Sequence, residues 1–342
     1  MKRAAVTSRA NVQRGAAVVV ALFVVALATI IVSDLFWRQF VLFRTIENQQ
    51  TAAQARLLLH AAQDWARAIL QDQTHPAFDA LSDAWAQPLA QTRLDQLGET
   101  APLASQATLE GGIEDAQARF NLRNLIDSAG VINPVQLQAF DKLATLLGAP
   151  GGTARLVALY MAQAYAGIPP GAAAVPPAGA GGSSSGNNGG SIGSTASNEG
   201  GNRPIPPVFP DDLAGIPGID PATAHTLAHF VILLDQTSTP VNFNTAGPEI
   251  MAAVIPELSL ADANALAAER DRAYFLSVGD IQNRLHGRGG VISVAGISTN
   301  SQYFIVHGTV RLDRAATTMQ ALVRRSGSGA QGGVDVLWER EP

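Results

Sequence analysis

Between residues 16 and 75 the chain contains no glycine and no proline, and that confines its N-terminal part to one element. Sixty residues without a helix breaker predict a single rod of roughly 90 Å, at about 1.5 Å per residue. Residues 16–32 read AAVVVALFVVALATIIV and carry no charge. Such a run sits at the short end of the about 17–25 residues that cross a bilayer. Beyond it, Leu58, Ala62, Trp65 and Ile69 recur at helical spacing, so the outer half of the rod is amphipathic. Pro76 is the expected stop.

Charge orients this rod. Lys2, Arg3, Arg9 and Arg14 precede the apolar run with no acid among them. Basic flanks stay on the cytoplasmic side, so the leader is expected inside and the head outside. With the leader's four removed, 19 of the 23 basic side chains face all 28 acidic ones, a net of −9 after Gly15. Polyanion binding rests on neutralising phosphates, and a head of that sign is poorly suited to it. An ordinary cleaved signal ends at small residues in an A-x-A-like site. Here the run ends Val32-Ser33-Asp34-Leu35-Phe36-Trp37, which offers none.

The head alternates in character. Residues 78–103 read as loop or short helices. Residues 108–122 contain Gly111-Gly112 between extended runs, the signature of a hairpin turn. Residues 115–125, DAQARFNLRNL, read as strand followed by helix entry. Helical periodicity marks 134–147 and 153–165. The stretch 167–203 is Gly, Ala, Ser, Pro and Asn, too poor in apolar surface to order itself, and is expected to be a flexible insertion. Helices are expected at 221–234, 248–254, 259–270 and from about Val278. Residues 303–312, 318–325 and 334–339 alternate apolar and polar, as half-buried antiparallel strands do.

The predicted class is α+β: a long N-terminal helix on an antiparallel sheet, with an inserted all-α domain. The leader spans 1–15, the membrane helix 16–36 with its extension to about 75, the first part of the sheet 76–125, the insert 126–285 and the last strands 286–342.

A basic leader ending in Gly15, followed at once by a membrane helix with an amphipathic extension, resembles a prepilin of the type IV pilin class. The resemblance implies peptidase cleavage between Gly15 and Ala16 and N-methylation of Ala16. The competing reading is a signal anchor that is never cut. Most prepilins carry Glu at the fifth mature position, where this chain has Val20. An unpaired carboxylate is costly in an apolar bundle, so Val20 suits a subunit with nothing stacked above it.

Two further segments narrow the family. Residues 213–230, LAGIPGIDPATAHTLAHF, resemble a helix-hairpin-helix with Gly215 and Gly218 at its turn. Residues 241–270 resemble a second copy, with Pro256-Glu257-Leu258-Ser259 where the glycines would be. Such hairpins either hold phosphate on backbone N–H groups or serve as scaffold, and both readings stand. DAQARFNLRNL, with Asp115, Phe120 and Asn121, and TPVNFNTAGPEIMAAVIPELS at 239–259, with Asn242, Asn244 and Thr245, are similar to segments of general secretion pathway protein K. This family of large minor pseudopilins belongs to type II secretion.

That resemblance implies a pseudopilus tip subunit of the cell inner membrane, with a cytoplasmic N-terminus and a periplasmic head. Its implied partners are the other minor pseudopilins, the major pseudopilin, the prepilin peptidase and the inner-membrane platform, with secreted substrate as a further contact. A membrane-anchored DNA-uptake protein using the hairpins is the alternative. The chain departs from the family at 167–203 and lacks its acidic W-I-D-x-D stretch, because residues 154–167 contain no acid.

Reaction chemistry has little support. There is no cysteine and no Ser elbow or phosphate loop. His225 and His229 lie four apart, a metal-compatible spacing, without a third ligand in recognisable register. No catalytic residue, metal site or cofactor is expected, although the acidic head leaves calcium open.

Overall fold

A computed structural model describes residues 13–72, 77–93, 107–166, 203–285, 296–312, 315–327 and 333–341. Helix α1 (Gln13–Gln71) is continuous over 59 residues, about 89 Å. It begins before the expected start: Gly15 costs about 1 kcal/mol in a helix interior but does not break it. It ends at Gln71, and residues 73–76, which include the last part of the expected extension and Pro76, lie outside the described residues.

Along residues 16–46 every side chain of α1 is exposed, Phe23 and Trp37 by more than two thirds. Further on, Ala55, Leu59, Ala66 and Leu70 turn inward with the helical period and are buried. They pack on one face of a five-stranded antiparallel sheet of order β1-β2-β7-β8-β9. Its strands are β1 (Leu89–Arg93), β2 (Ala107–Asp115), β7 (Tyr303–Leu312), β8 (Ala315–Ser326) and β9 (Gly333–Arg340). Period-2 alternation sends Phe304 and Val306 toward α1 and Tyr303 and Ile305 to the opposite face.

The insert lies between β2 and β7. These strands are paired neighbours, with Asp115 opposite Phe304, so the chain leaves and re-enters the sheet at one edge of one ladder. The insert holds α2 (Pro134–Leu146), α3 (Thr153–Tyr165), α4 (Pro221–Ala228), α5 (Pro248–Val254), α6 (Leu260–Arg272) and α7 (Val278–Leu285). Their apolar faces form one core with Phe120, Leu122 and Leu125. Two short parallel ladders also stitch it, β3 (Phe120–Asn121) with β4 (Val231–Ile232) and β5 (Val241–Asn242) with β6 (Ile297–Ser298).

Three expectations are corrected. Gly111-Gly112 is no turn: β2 runs straight through it, and the early hairpin is formed by β1 with β2. A Cβ on Gly111 would stand 2.4 Å from the His307 carbonyl oxygen, so glycine there serves close strand approach. The helix expected over 221–234 stops at Ala228, because β-branched Val231 and Ile232 pair with Phe120 and Asn121 instead. Residues 116–125 form two 3-10 turns around β3 rather than a helix entry. Of the low-complexity stretch, residues 167–202 lie outside the described residues.

Candidate functional site: a buried polar junction at the neck of the insert

Asp115 ends β2 and is buried. Its Oδ1 accepts from the Gln117 backbone N–H at 2.8 Å, capping the 3-10 turn Ala116–Ala118. Its Oδ2 accepts from Asn242 Nδ2 at 2.9 Å, Thr245 Oγ1 at 2.6 Å and Ser301 Oγ at 2.6 Å. One carboxylate thus joins the outgoing neck of the insert, the β5 turn inside it and the returning neck. Burial pushes the Asp115 carboxyl up to about 6, against the downward pull of the Ser301, Thr245 and Gln117 bonds, with the nearby Asp79 carboxylate raising it further.

The asparagines extend the junction. An amide carries both donor and acceptor, so it can substitute for a backbone pair. Asn242 Oδ1 accepts from Asn244 N at 3.0 Å. Asn244 exchanges bonds with Phe275, receiving its N–H at 2.8 Å and donating to its carbonyl at 2.9 Å. Asn121 Oδ1 accepts from the N–H groups of Arg123 and Leu234, each at 3.1 Å, and its Nδ2 donates to Gln236 O at 2.8 Å. Phe120 is buried and stacks on Phe140, centroids 5.4 Å apart. The structure therefore brings Asp115, Asn242 and Thr245 together, places Asn244 one bond away, and sets Asn121 at the next turn.

The second half of this junction was not legible in the sequence. Asp79, 1% exposed, accepts from Ser301 N at 2.8 Å and from Arg325 Nη2 at 2.6 Å. Arg325, 7% exposed, also donates to Ser301 O at 2.6 Å and lies over the Phe304 ring at 4.9 Å. Gln117, on the outgoing neck, donates to Pro240 O inside the insert and accepts from Gln302 N on the returning neck. Asp79 is more than 200 residues from Ser301 and Arg325, and Gln117 more than 100 from Pro240 and Gln302, so no local spacing signals these contacts.

The residues expected to be processed lie elsewhere. Gly15 and Ala16 lie inside α1, and Ala16 and Val20 are exposed. At the first hairpin Gly218 has φ +93°, a left-handed turn that glycine serves, whereas Gly215 is exposed with open space around it. At the second, α5 and α6 pack as a hairpin whose turn is closed by Lys142 from α2. Its Nζ donates to the carbonyls of Ile255, Pro256 and Leu258 at 3.0, 2.9 and 2.8 Å. Carbonyls converging on a cation leave no nest of N–H groups for a phosphate, and no observation favours the DNA-binding reading. Replacing Lys142 by methionine is expected to destabilise the protein by about 1–2 kcal/mol, seen as a lower urea midpoint, because three carbonyls lose their donor. An unchanged midpoint would show that water replaces the ammonium freely.

The His225 and His229 rings meet edge to face at 4.9 Å. Among the described residues, no group of three or more His, Asp or Glu side chains is arranged to hold a metal ion.

The model of "Type II secretion system (T2SS), protein K" matches residues 241–299, the stretch that carries Asn242, Asn244 and Thr245. Type II secretion system protein K of Pseudomonas aeruginosa PAO1 is 26% identical over 335 residues, 95% of this chain and 92% of that protein. The crystal structure of the GspK-GspI-GspJ complex of the enterotoxigenic Escherichia coli type 2 secretion system contains a chain of the same fold. It matches with TM-score 0.60 and 20% identity, over 86% of this chain and 98% of that one. End-to-end alignment, the matched 241–299 segment and a pilin-like helix on a sheet interrupted by a helical insert agree: the protein this chain is similar to, along nearly its whole length, is type II secretion system protein K.

Proposed function

We propose that this protein is a minor pseudopilin that assembles through its N-terminal helix at the tip of the type II secretion pseudopilus and makes or breaks no bond itself. One observation carries this reading: a fully exposed apolar segment and a folded head share a single uninterrupted helix. An apolar surface of that length must be covered by lipid or by other apolar helices. In lipid, association comes from packing of small residues such as Ala16, Ala17, Ala21, Ala26 and Ala28 rather than from the hydrophobic effect.

The basic leader supports an inner-membrane, single-pass orientation with the head in the periplasm. Partners of the I and J type, as in the solved complex, would pack along α1 beside the major pseudopilin. The secretion platform would hold the base, and secreted substrate would meet the head. At Val20 no carboxylate awaits an amine from a subunit above. The bulk of the insert supports a capping position.

Cleavage after Gly15 and methylation of Ala16 are tested by co-expression with a prepilin peptidase followed by intact-mass measurement. The expected product lacks residues 1–15 and carries one added methyl group. A chain that keeps Met1 overturns the processing assignment and favours an uncut anchor.

A further inference from the structure

Arg119, His225, His229 and Arg340 converge on a cleft of about 290 Å³ at the seam between insert and sheet. It opens on the sheet face opposite α1, floored by Ile305, Gln320 and Trp338 and walled by α4 and the preceding 3-10 turn. The histidines singled out by spacing thus border a concave site that the junction does not use.

The cleft has the chemistry of a carboxylate site. The Arg340 guanidinium lies 4.4 Å from the Phe209 ring centre and 5.8 Å from that of Trp338, and the two rings meet edge to face at 5.1 Å. Its Nε donates to Gln320 Oε1 at 2.7 Å, which fixes its plane. A guanidinium stacked on aromatic rings keeps its N–H edge for a ligand, and that edge matches a carboxylate in shape and charge. Arg119 spends one N–H on Glu114, at 2.6 Å. The acid nearest Arg340 is Asp211, at 3.8 Å and largely exposed at the rim. Among the described residues neither imidazole has a hydrogen-bond or ion-pair partner. In a head whose overall charge is negative, this cleft brings the guanidinium groups of Arg119 and Arg340 together, with Asp211 the one acid in its lining. A cavity of about 150 Å³ holds a benzene ring, so this one has room for an apolar side chain together with a carboxylate.

We propose that this cleft binds a carboxylate carried on an apolar body, the chemistry of a polypeptide C-terminus ending in an apolar residue. The proposal rests on the cleft alone and is independent of the pseudopilus reading.

The test uses the full chain in detergent with a fluorescein-labelled pentapeptide ending in phenylalanine, as the free acid and as the C-terminal amide. Fluorescence anisotropy is expected to give at least about tenfold tighter binding of the acid. His225→Ala/His229→Ala and Arg119→Gln should each weaken the acid about threefold or more, and Arg340→Gln about tenfold, with amide binding unchanged. Should Arg340→Gln lower the melting temperature, the Arg119 and double-histidine variants decide the matter. Equal binding of acid and amide, or no binding of the acid up to about 1 mM, overturns the proposal. Competition by indole-3-acetate as effective as that of the peptide overturns the assignment to a polypeptide end.

Discussion

Replacing Asp115 by alanine is expected to destabilise the head by about 3–5 kcal/mol and to lower its melting temperature by roughly 10 °C. The change takes the Asp115 acceptor from the Asn242 amide, the Thr245 and Ser301 hydroxyls and the Gln117 N–H in a dry site, leaving the amide only Ser301 Oγ at 3.0 Å and the Thr245 hydroxyl only Asn242 O at 3.3 Å. The hydroxyls can rotate to other partners; the two N–H donors cannot. Asp115→Asn is no remedy, because whichever way the amide is turned, its NH₂ faces either the Asn242 NH₂ or the Gln117 N–H. It is expected to cost about 2–3 kcal/mol. The pH dependence separates charge from shape. Asp115 titrates at about 6 in the fold and near 3.8 unfolded, so the fold binds its proton more tightly. Its contribution is therefore fully present below about pH 4 and is lost as pH rises through 6, by about 3 kcal/mol in all. The wild type's advantage over Asp115→Asn should shrink by about that amount between pH 4 and 7 in denaturant titrations. A pH-independent difference between the two would show that Asp115 stays charged throughout and that hydrogen bonding outweighs burial.

The same region shows what the sequence could and could not reveal. Tyr303–Leu312 is a strand with the expected ends because each alternate residue faces a packed layer, α1 on one side and the insert on the other. Helices α2 and α3 were legible for the same reason at a different period. The β1 strand, LAQTR, was not. It lies at the sheet edge, half-buried at two positions only, and follows Pro88, so it carries no alternation to read. Gly111-Gly112 was misread because a glycine pair marks a turn locally, whereas here it answers to the His307 carbonyl on the next strand. The motif residues Asp115, Asn242 and Thr245 were visible by resemblance, but their meeting was not. They come together only because the insert leaves and returns on adjacent strands.

That topology sets a mechanical requirement. A head carried on a helix of about 89 Å transmits any load on the insert through two necks. Paired strands alone would leave the necks free to hinge, since the two short parallel ladders lie within the insert and do not cross to the sheet. The buried side-chain network crosses there instead: Asp115 and Gln117 from the outgoing neck, Ser301 and Gln302 from the returning one, and Asn242 and Thr245 from the insert. Buried, satisfied polar networks fix one geometry, which the proposed tip role needs if the insert is to sit at one angle to the filament.

The second large effect is expected at the partner clamp, Asp79 with Arg325. Residue 79 follows the end of α1 and residue 325 lies on β8, so the pair ties the foot of the head to the sheet beside the returning neck. Both side chains are more than nine-tenths buried. Removing one partner from such a pair leaves an uncompensated buried charge and costs about 3–5 kcal/mol. Asp79→Ala strands the Arg325 guanidinium with the Ser301 carbonyl and the Phe304 ring as its remaining contacts. Arg325→Leu strands the Asp79 carboxylate with the Ser301 N–H. Asp79→Ala combined with Arg325→Leu removes both charges and should cost less than the sum of the single changes, with a coupling of about 2–3 kcal/mol. Denaturant midpoints for the four proteins measure it. Additive losses would mean that the pair is held apart by water and that each group acts through Ser301 alone. Limited proteolysis adds a structural readout: the single variants should be cut first near the necks, around residues 116–119 and 299–302, with the membrane helix intact. Cleavage that begins instead within the helical insert would place the weak point in the insert's own core and remove the clamp from the account.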